Sequence, residues 1–556
     1  MATASTKQRD RKSVGATMAD GRPFLAPDAP ENRDEATVSE TAWLWGSVLI
    51  LLAAALLRVV ALELKPLHHD EGVNAFFLTD LLTKGEYRYN PENYHGPTLY
   101  YFALPLAQWF GMTTTVIRLV PVIFGVATVW LVLCLRRYLG TTGTLAAAAL
   151  VAVSPGAVYY SRYFIHESLF VFFTLGVIVA ALRYYDTARP RYLMLAAVSA
   201  GLLFATKETA FISAGVILLA ALLAEGFARR ATRDADFNAA VQRTRSTKSS
   251  ARAKARTGSG ANKLARFGDS SRIALLSANA VAVFIIVNVV FYSSFFSNSQ
   301  GVTDALGTFK LWAKRTSLEH AKPIWTYIEW LAQEEAAILL LATTGAAYAV
   351  LRPSRRRFPL FACAWAFGLL AAYSLIGYKT PWLALNFIVP LALASGYAVG
   401  VVDTWAERVK ETRWPAALLM GVALALGLYQ SVQLNFYHYD DERYPYVYVH
   451  TRREVLQLVS EIDRLAASAG TGKQTTIAVA SSDYWPLPWY LSEYTRVAYH
   501  GRVAAYTDQI VIGRDGVDEA ILQASLGSGY VRVGETYPLR PGVNLVLYVR
   551  RELAAK

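Results

Sequence analysis

Apolar and polar residues along this 556-residue chain come in long blocks, not in the short amphipathic periods of soluble elements. Apolar stretches at 42–62, 118–135, 144–160, 168–184, 191–206, 209–226, 273–292, 336–352, 359–377, 382–402 and 414–432 run to roughly 17–21 residues each, enough as helices to cross a hydrocarbon core. The pattern predicts an all-α polytopic membrane bundle of about eleven transmembrane helices. A further stretch, Pro97–Gly111, is short, aromatic and interrupted by Pro105, which predicts a helix lying at the interface. From 436 to 556 the blocks give way to a helical pattern, TRREVLQLVSEIDRLAAS, followed by the β-rich runs TTIAVAS, QIVIG and NLVLYVRR, the order of a small α/β domain. Within it, Gly-Thr-Gly-Lys (470–473) lacks the first glycine and the Ser or Thr of a phosphate loop and reads as an ordinary loop.

Composition agrees with the pattern. With 54% hydrophobic and 17% charged residues and a mean hydropathy of +0.27, the chain is neither disordered nor a cytosolic enzyme. Two cysteines inside apolar stretches, Cys134 and Cys363, supply no disulfide framework or CxxC metal site. The net charge of +13 sits in short loops and not on a basic face, so no nucleic-acid partner is expected.

If 97–111 does not span, Arg136-Arg137, Arg189/Arg191, the 227–272 loop, Arg352/Arg355/Arg356/Arg357 and Arg408/Lys410/Arg413 share one side, the positive-inside pattern. The expectation is then a multi-pass protein of a prokaryotic plasma membrane. Residues 1–41 are expected to form a disordered cytoplasmic tail, 42–435 the membrane domain with a basic disordered cytoplasmic insert at 229–272, and 436–556 an extracytoplasmic α/β domain. All eight histidines fall on the outer side, as do Asp70, Glu71, Glu167, Lys207, Glu208 and Lys379. Ionisable groups at span ends, costly in lipid unless paired or functional, suggest an outward polar site.

Two outer loops carry most of this chemistry. Leu-His-His-Asp-Glu-Gly (67–72) follows the first span, and Tyr-His-Gly-Pro (94–97) closes the same loop. An acid pair there offers a general base in Asp70 or Glu71, with His69 and His95 to bind phosphate or orient the acid; the alternative is a charged span end. In Ser-Arg-Tyr-Phe-Ile-His-Glu (161–167), Arg162 can bind phosphate or snorkel. His166 and Glu167 can hold a sugar hydroxyl, and Asp70 or Glu167 would be the ligands of any divalent cation. No other cofactor is expected. Lys207 either pairs with Glu208 or points at a lipid phosphate, and Lys379 in Tyr-Lys-Thr-Pro-Trp poses the same choice. Arg58 faces the bundle or snorkels; Tyr94 and its neighbours stack on a sugar or anchor the loop.

His-Asp-Glu-Gly (69–72), Tyr-His-Gly-Pro (94–97), Ser-Arg…Glu (161–167), Tyr-Lys-Thr-Pro-Trp (378–382) and Asp-Tyr-Trp-Pro-Leu-Pro-Trp-Tyr (483–490) together resemble the lipid-linked-sugar glycosyltransferases of the GT-C fold. The likeness is to the protein O-mannosyltransferase and aminoarabinose-transferase branch, and nearest to predicted prokaryotic membrane mannosyltransferases labelled flippase-activity-associated. The resemblance implies an inverting transfer, possibly of mannose, from a polyprenyl-phosphate sugar to a glycan, lipid or protein acceptor. It also implies Asp70 as the base, Glu167 as the second-loop acid and Lys207 near the lipid phosphate. A flippase, or a non-catalytic flippase accessory for lipid-linked oligosaccharides, is the alternative. The chain departs from the branch in having His95-Gly96-Pro97 where His-Pro-Pro is usual, and in lacking its lumenal sugar-binding repeats.

Overall fold

The computed structural model describes residues 38–93, 95–246, 265–314, 321–352, 357–408, 414–516 and 519–554. Its helices are α1 (Glu40–Val59), α2 (His69–Lys84), α3 (Thr98–Phe110), α4 (Thr114–Leu133), α5 (Arg136–Val153), α6 (Pro155–Ser161), α7 (Glu167–Thr187), α8 (Pro190–Phe204), α9 (Ala210–Ser246), α10 (Ser270–Tyr292) and α11 (Gln300–Lys314). Then follow α12 (Thr326–Glu334), α13 (Ala336–Leu351), α14 (Arg357–Leu375), α15 (Leu385–Arg408), α16 (Trp414–Val432), α17 (Val455–Ser468), α18 (Leu487–Tyr490) and α19 (Glu519–Leu526).

Eight helical segments among the described residues are long and apolar enough to cross a bilayer: α1, α4, α7, the first part of α9, α10, α14, α15 and α16. Two more apolar segments are broken. The first bends by 56° between α5 and α6, where Pro155 opens a new helix, and the second by 113° between α12 and α13 at Glu335. The expected span at 191–206 is the 15-residue α8, about 22 Å long, short of the roughly 30 Å of a hydrocarbon core. The expectation of about eleven spans therefore becomes eight, or ten if each bent pair counts as one.

The stretch 97–111 forms α3, whose 13 residues reach about 20 Å and cannot span. Leu99, Tyr100, Ala103 and Ala107 bury one face, and Trp109 and Phe110 stay exposed at its end. The insert expected to be disordered from 229 is instead helical to Ser246, as the end of α9. Residues 247–264 and 1–37 of the two expected cytoplasmic segments lie outside the described residues.

The tail folds around a five-stranded sheet in the order β2-β1-β3-β5-β4, built from β1 (Ile477–Val479), β2 (Val497–Tyr499), β3 (Ile510–Arg514), β4 (Tyr530–Arg540) and β5 (Val543–Arg550). β1 pairs in parallel with β2 and β3, while β5 runs antiparallel to β3 and β4. Val455, Leu458, Ile462 and Leu465 recur at helical spacing and lay one stripe of α17 on one sheet face. Leu522 and Leu526 of α19 cover the other.

The tail rests on the membrane domain through specific bonds. The Leu67 amide donates to the Tyr490 hydroxyl at 2.8 Å, and the hydroxyls of Tyr159 and Tyr160 donate to the carbonyls of Tyr439 and Tyr446. A side chain at Gly72 would meet Pro486 at 2.7 Å, so α2 and the 483–490 segment approach backbone to ring.

Candidate active site

The site begins with the start of α2. His68 is its N-cap: its Nδ1 accepts from the Asp70 amide at 3.1 Å, and its own amide donates to Glu71 Oε2 at 2.9 Å. This reciprocal pair satisfies two backbone donors that a helix start leaves orphaned. Because Nδ1 accepts, Nε2 carries the proton and donates to the Tyr448 carbonyl at 3.1 Å, so the tail helps hold the cap.

Asp70 and Glu71 have opposite fates. The Asp70 side chain is 42% exposed, with Oδ2 3.9 Å from His68 Nδ1. Glu71 is fully buried, and Arg118 clasps both of its oxygens at 2.7 Å. The Phe164 amide also donates to Glu71, at 2.8 Å. Burial works against charge on Glu71, but Arg118 outweighs it and holds the carboxyl below its ordinary value. Arg118 further donates to the carbonyls of Leu62, Lys65 and Pro66. Glu71, expected as half of a catalytic acid pair, is therefore a scaffold that pins the first outer loop to α4 and to the second loop.

The second loop reaches the first through Phe164 as well, whose carbonyl accepts from Asn74 of α2 at 2.9 Å. The Asn74 carbonyl oxygen accepts from the Tyr100 hydroxyl of α3, also at 2.9 Å. His166 Nε2 lies 3.0 Å from the Gly96 carbonyl, and the rings of His95 and His166 stand 4.9 Å apart. The two loops are thus knitted together, with the start of α3 between them.

Lys207 does not pair with Glu208. Its ammonium donates to Glu167 at 2.6 Å, with both side chains buried, while Glu208 lies 3.5 Å from His95. Burial opposes the Lys207 charge, yet Glu167 and Glu208 raise its pKa above the ordinary value. His166 goes the other way: burial, then the neighbouring His95 and Lys207, hold it well below its ordinary value and neutral. A backbone bridge joins His95 to Lys207, and the Gly96 amide donates to the Thr206 carbonyl at 3.0 Å. A Cβ on residue 96 would lie 2.0 Å from the Ala205 carbonyl oxygen. That close approach explains the glycine at the position where the resembling enzymes carry proline. Gly96→Ala should cost about 1–3 kcal/mol and displace His95, read as a lower melting temperature of the detergent-purified chain. An unchanged melting temperature would contradict the packing argument.

Arg58 and Arg162 also turn inward. Arg162 donates to the carbonyls of Leu57, Arg58, Val60 and Ala61, closing the C-terminal end of α1. Arg58 donates to Ala54, Val151 and Ala152 carbonyls and to Ser161 Oγ. Both are almost wholly buried: Arg58 faces the bundle, and Arg162, expected either to bind phosphate or to snorkel, spends its guanidinium on backbone carbonyls. His69 packs edge-on to Trp485, with Nδ1 3.1 Å from Arg540 Nη1. Burial, with the His68 and Arg540 charges adding and Asp70 opposing, pushes His69 down to about 4.

The family model described as dolichyl-phosphate-mannose-protein mannosyltransferase matches residues 94–238, the segment that carries His95, Arg162, Glu167 and Lys207. ArnT from Cupriavidus metallidurans bound to undecaprenyl phosphate superposes with a TM-score of 0.58 at 14% identity, over 92% of this chain and 98% of that one. The archaeal oligosaccharyltransferase AglB from Archaeoglobus fulgidus, in complex with an inhibitory peptide and a dolichol-phosphate, superposes with a TM-score of 0.53 at 13% identity, over 85% and 69%. The chain has the GT-C fold. No curated protein matches it by sequence. These likenesses lend no support to the flippase label.

Within this GT-C fold, Lys379 is buried and donates to the carbonyls of Ile376 and Lys322 at 2.6 and 3.2 Å. Tyr94 and His320 lie outside the described residues. Among the described residues no group of three or more His, Cys, Asp or Glu side chains is placed to hold a metal ion. Glu167, one of the two acids named for a cation, is already neutralised by Lys207, so these residues do not fit a metal centre. Sequence reasoning missed Arg118, Lys65 and His450. Arg118 and Lys65 had a signal, as cations in or beside apolar stretches that must find a partner. Lys65 Nζ sits over the rings of Tyr163 and Tyr159 at 3.4 and 3.9 Å. His450, stacked on His68 with centroids 5.8 Å apart, had none.

Proposed function

We propose that this protein is a membrane glycosyltransferase that moves a sugar, of the mannose type, from a polyprenyl-phosphate donor to an acceptor hydroxyl on a glycan, lipid or protein. In this reading the N-terminus is cytoplasmic, following the basic loops, and the site with the 436–556 domain faces the extracytoplasmic side of a prokaryotic plasma membrane. One observation carries the choice of base. Of the four acids in the motif segments 67–72 and 161–167 and beside Lys207, Asp70 keeps an open side chain, at 42% exposure, while those of Glu71, Glu167 and Glu208 are 8% exposed or less and each sits beside a basic side chain.

The chemistry is an in-line displacement with inversion. The acceptor oxygen bonds to the anomeric carbon as the carbon–oxygen bond to phosphate breaks. Asp70 takes the hydroxyl proton, and the polyprenyl phosphate leaves with the electron pair. The GT-C fold and the likeness to a transferase crystallised with undecaprenyl phosphate support the donor class; the mannosyltransferase family model supports the sugar.

The test is direct. The full chain in lipid nanodiscs, given polyprenyl-phosphate mannose and a cell-envelope acceptor fraction, should release polyprenyl phosphate faster than it releases it from the glucose or arabinose donors. No release from any such donor would overturn the reading; release from a non-mannosyl donor alone would overturn the sugar.

A further inference from the structure

The segment Asp483–Tyr490 is where the tail meets α2, and the topology of the tail sheet gathers chemistry at that point. In the order β2-β1-β3-β5-β4 the chain leaves β1 towards β2 on one side and leaves β3 towards β4 on the other. The carboxyl ends of β1 and β3 therefore flank a switch point, the place where open sheets of parallel strands leave a crevice for a ligand. Asp483, Tyr484 and Trp485 follow β1, Arg514 ends β3, and Arg540 ends β4 at the same end of the sheet.

The charges at this end are tied to one another and to α2. Asp483 lies 2.5 Å from both Arg514 Nη1 and Arg540 Nη2. Arg540 Nη1 donates to the Trp485 carbonyl at 3.3 Å and to His69 Nδ1 at 3.1 Å. Because Nδ1 accepts, the His69 proton sits on Nε2, which has no acceptor among the described residues. Asp70 is the next residue, and the charges of Asp70 and Asp483 both act on the His69 ring. Two acids and two guanidiniums balance, so this cluster has no net charge with which to select an ionic head group.

Aromatic rings line the same place. Trp485 stands 6.3 Å from the His69 ring and 6.0 Å from Phe76, both edge-on. Tyr484 lies 5.5 Å from Trp485 and 5.0 Å from Tyr499. Tyr484, Trp485 and Tyr499 are half-buried. Their two hydroxyls and the indole N–H bond to no group among the described residues and are not enclosed. Apolar ring surface with unspent polar tips suits a sugar, whose C–H face packs on a ring while its hydroxyls seek partners. A peptide strand finds less here, because β1 and β3 are paired on both sides and offer no open edge at the crevice.

We infer that this crevice binds the acceptor and that the acceptor is a neutral saccharide, packed on Trp485 and Tyr484 with a hydroxyl held by His69 Nε2–H, one residue from Asp70. This rests on the transferase reading above and names the acceptor class that reading leaves open.

The experiment uses the full chain in lipid nanodiscs, with polyprenyl-phosphate mannose as donor and α-mannotriose, cellotriose or a Ser/Thr-rich peptide as acceptor. At least one trisaccharide should accept the sugar, and the peptide should not. Trp485→Leu should raise the KM for that trisaccharide by about tenfold, the scale of a lost stacking contact, with the donor KM and melting temperature near wild type. Trp485→Phe should keep most of the affinity. A second measurement needs no variant: saturation-transfer NMR on the wild-type protein should mark the ring C–H protons of one face of the bound trisaccharide. Transfer to the peptide alone, no saturation of either trisaccharide, or donor and acceptor KM rising equally in Trp485→Leu would overturn the inference. Saturation of a trisaccharide by a chain that releases polyprenyl phosphate from no donor would keep the saccharide site and remove the transferase reading; release without saccharide binding would do the reverse.

Discussion

Asp70→Asn should lower sugar transfer by about 10²–10⁴-fold, the usual contribution of a positioned general base. The amide is isosteric but cannot take the acceptor's proton. The helix start does not depend on the carboxylate, because the cap is made by the His68 ring, the Asp70 amide and Glu71. What is lost is the favourable placement of a charge in the first turn, about 0.3–1 kcal/mol, so the melting temperature should barely move. Binding of polyprenyl phosphate should also persist. Release of polyprenyl phosphate from the donor, followed in the same preparation as melting, separates the two effects. Full transfer by a well-folded Asp70→Asn protein would remove Asp70 from the chemistry.

Arg118→Leu should be the most destabilising single change at the site, by about 3–5 kcal/mol, because it leaves Glu71 charged, buried and without its partner. The loss extends beyond one ion pair. The carbonyls of Leu62, Lys65 and Pro66 lose donors in a segment with little water to replace them. Glu71→Gln should cost less, because a glutamine oxygen can still accept from the His68 or Phe164 amide. Thermal unfolding of the two variants in one detergent gives the order. A melting temperature for Arg118→Leu equal to wild type, or above that of Glu71→Gln, would show that the pair does not clasp the first loop to α4. Activity should fall with stability in both, since the clasp fixes the turn that presents Asp70.

Much of the architecture was legible because hydrocarbon imposes a length. The helices fall where apolar runs fall, and α3 was recognisable as too short to span from its length and Pro105. Boundaries were less so: α9 runs on through charged residues to Ser246, where helix propensity continues after hydropathy ends. In the tail, β1, β3 and β5 showed as runs of branched residues. β2 is only three residues long, and β4 is interrupted by Gly534 and Pro538, so neither stood out.

The site was legible as a set of loops and not as a set of roles. Asp70 and Glu71 are neighbours on a helix, so their side chains point about 100° apart, and which one faces the opening depends on how α2 is rotated against α4. The same holds for Lys207, whose partner lies 40 residues away on α7 and not beside it at Glu208.

By itself, the amino-acid order determined that this chain builds an apolar helical bundle with polar groups gathered at helix ends, and which loops carry the chemistry. Water and hydrocarbon sort residues by type, and that sorting is written locally. Only the tertiary structure decided which charges are neutralised and which remain available. Whether an acid or a cation is structural or reactive depends on what approaches it through space, and Arg118 reaching Glu71 across 47 residues is the contact that leaves Asp70 open.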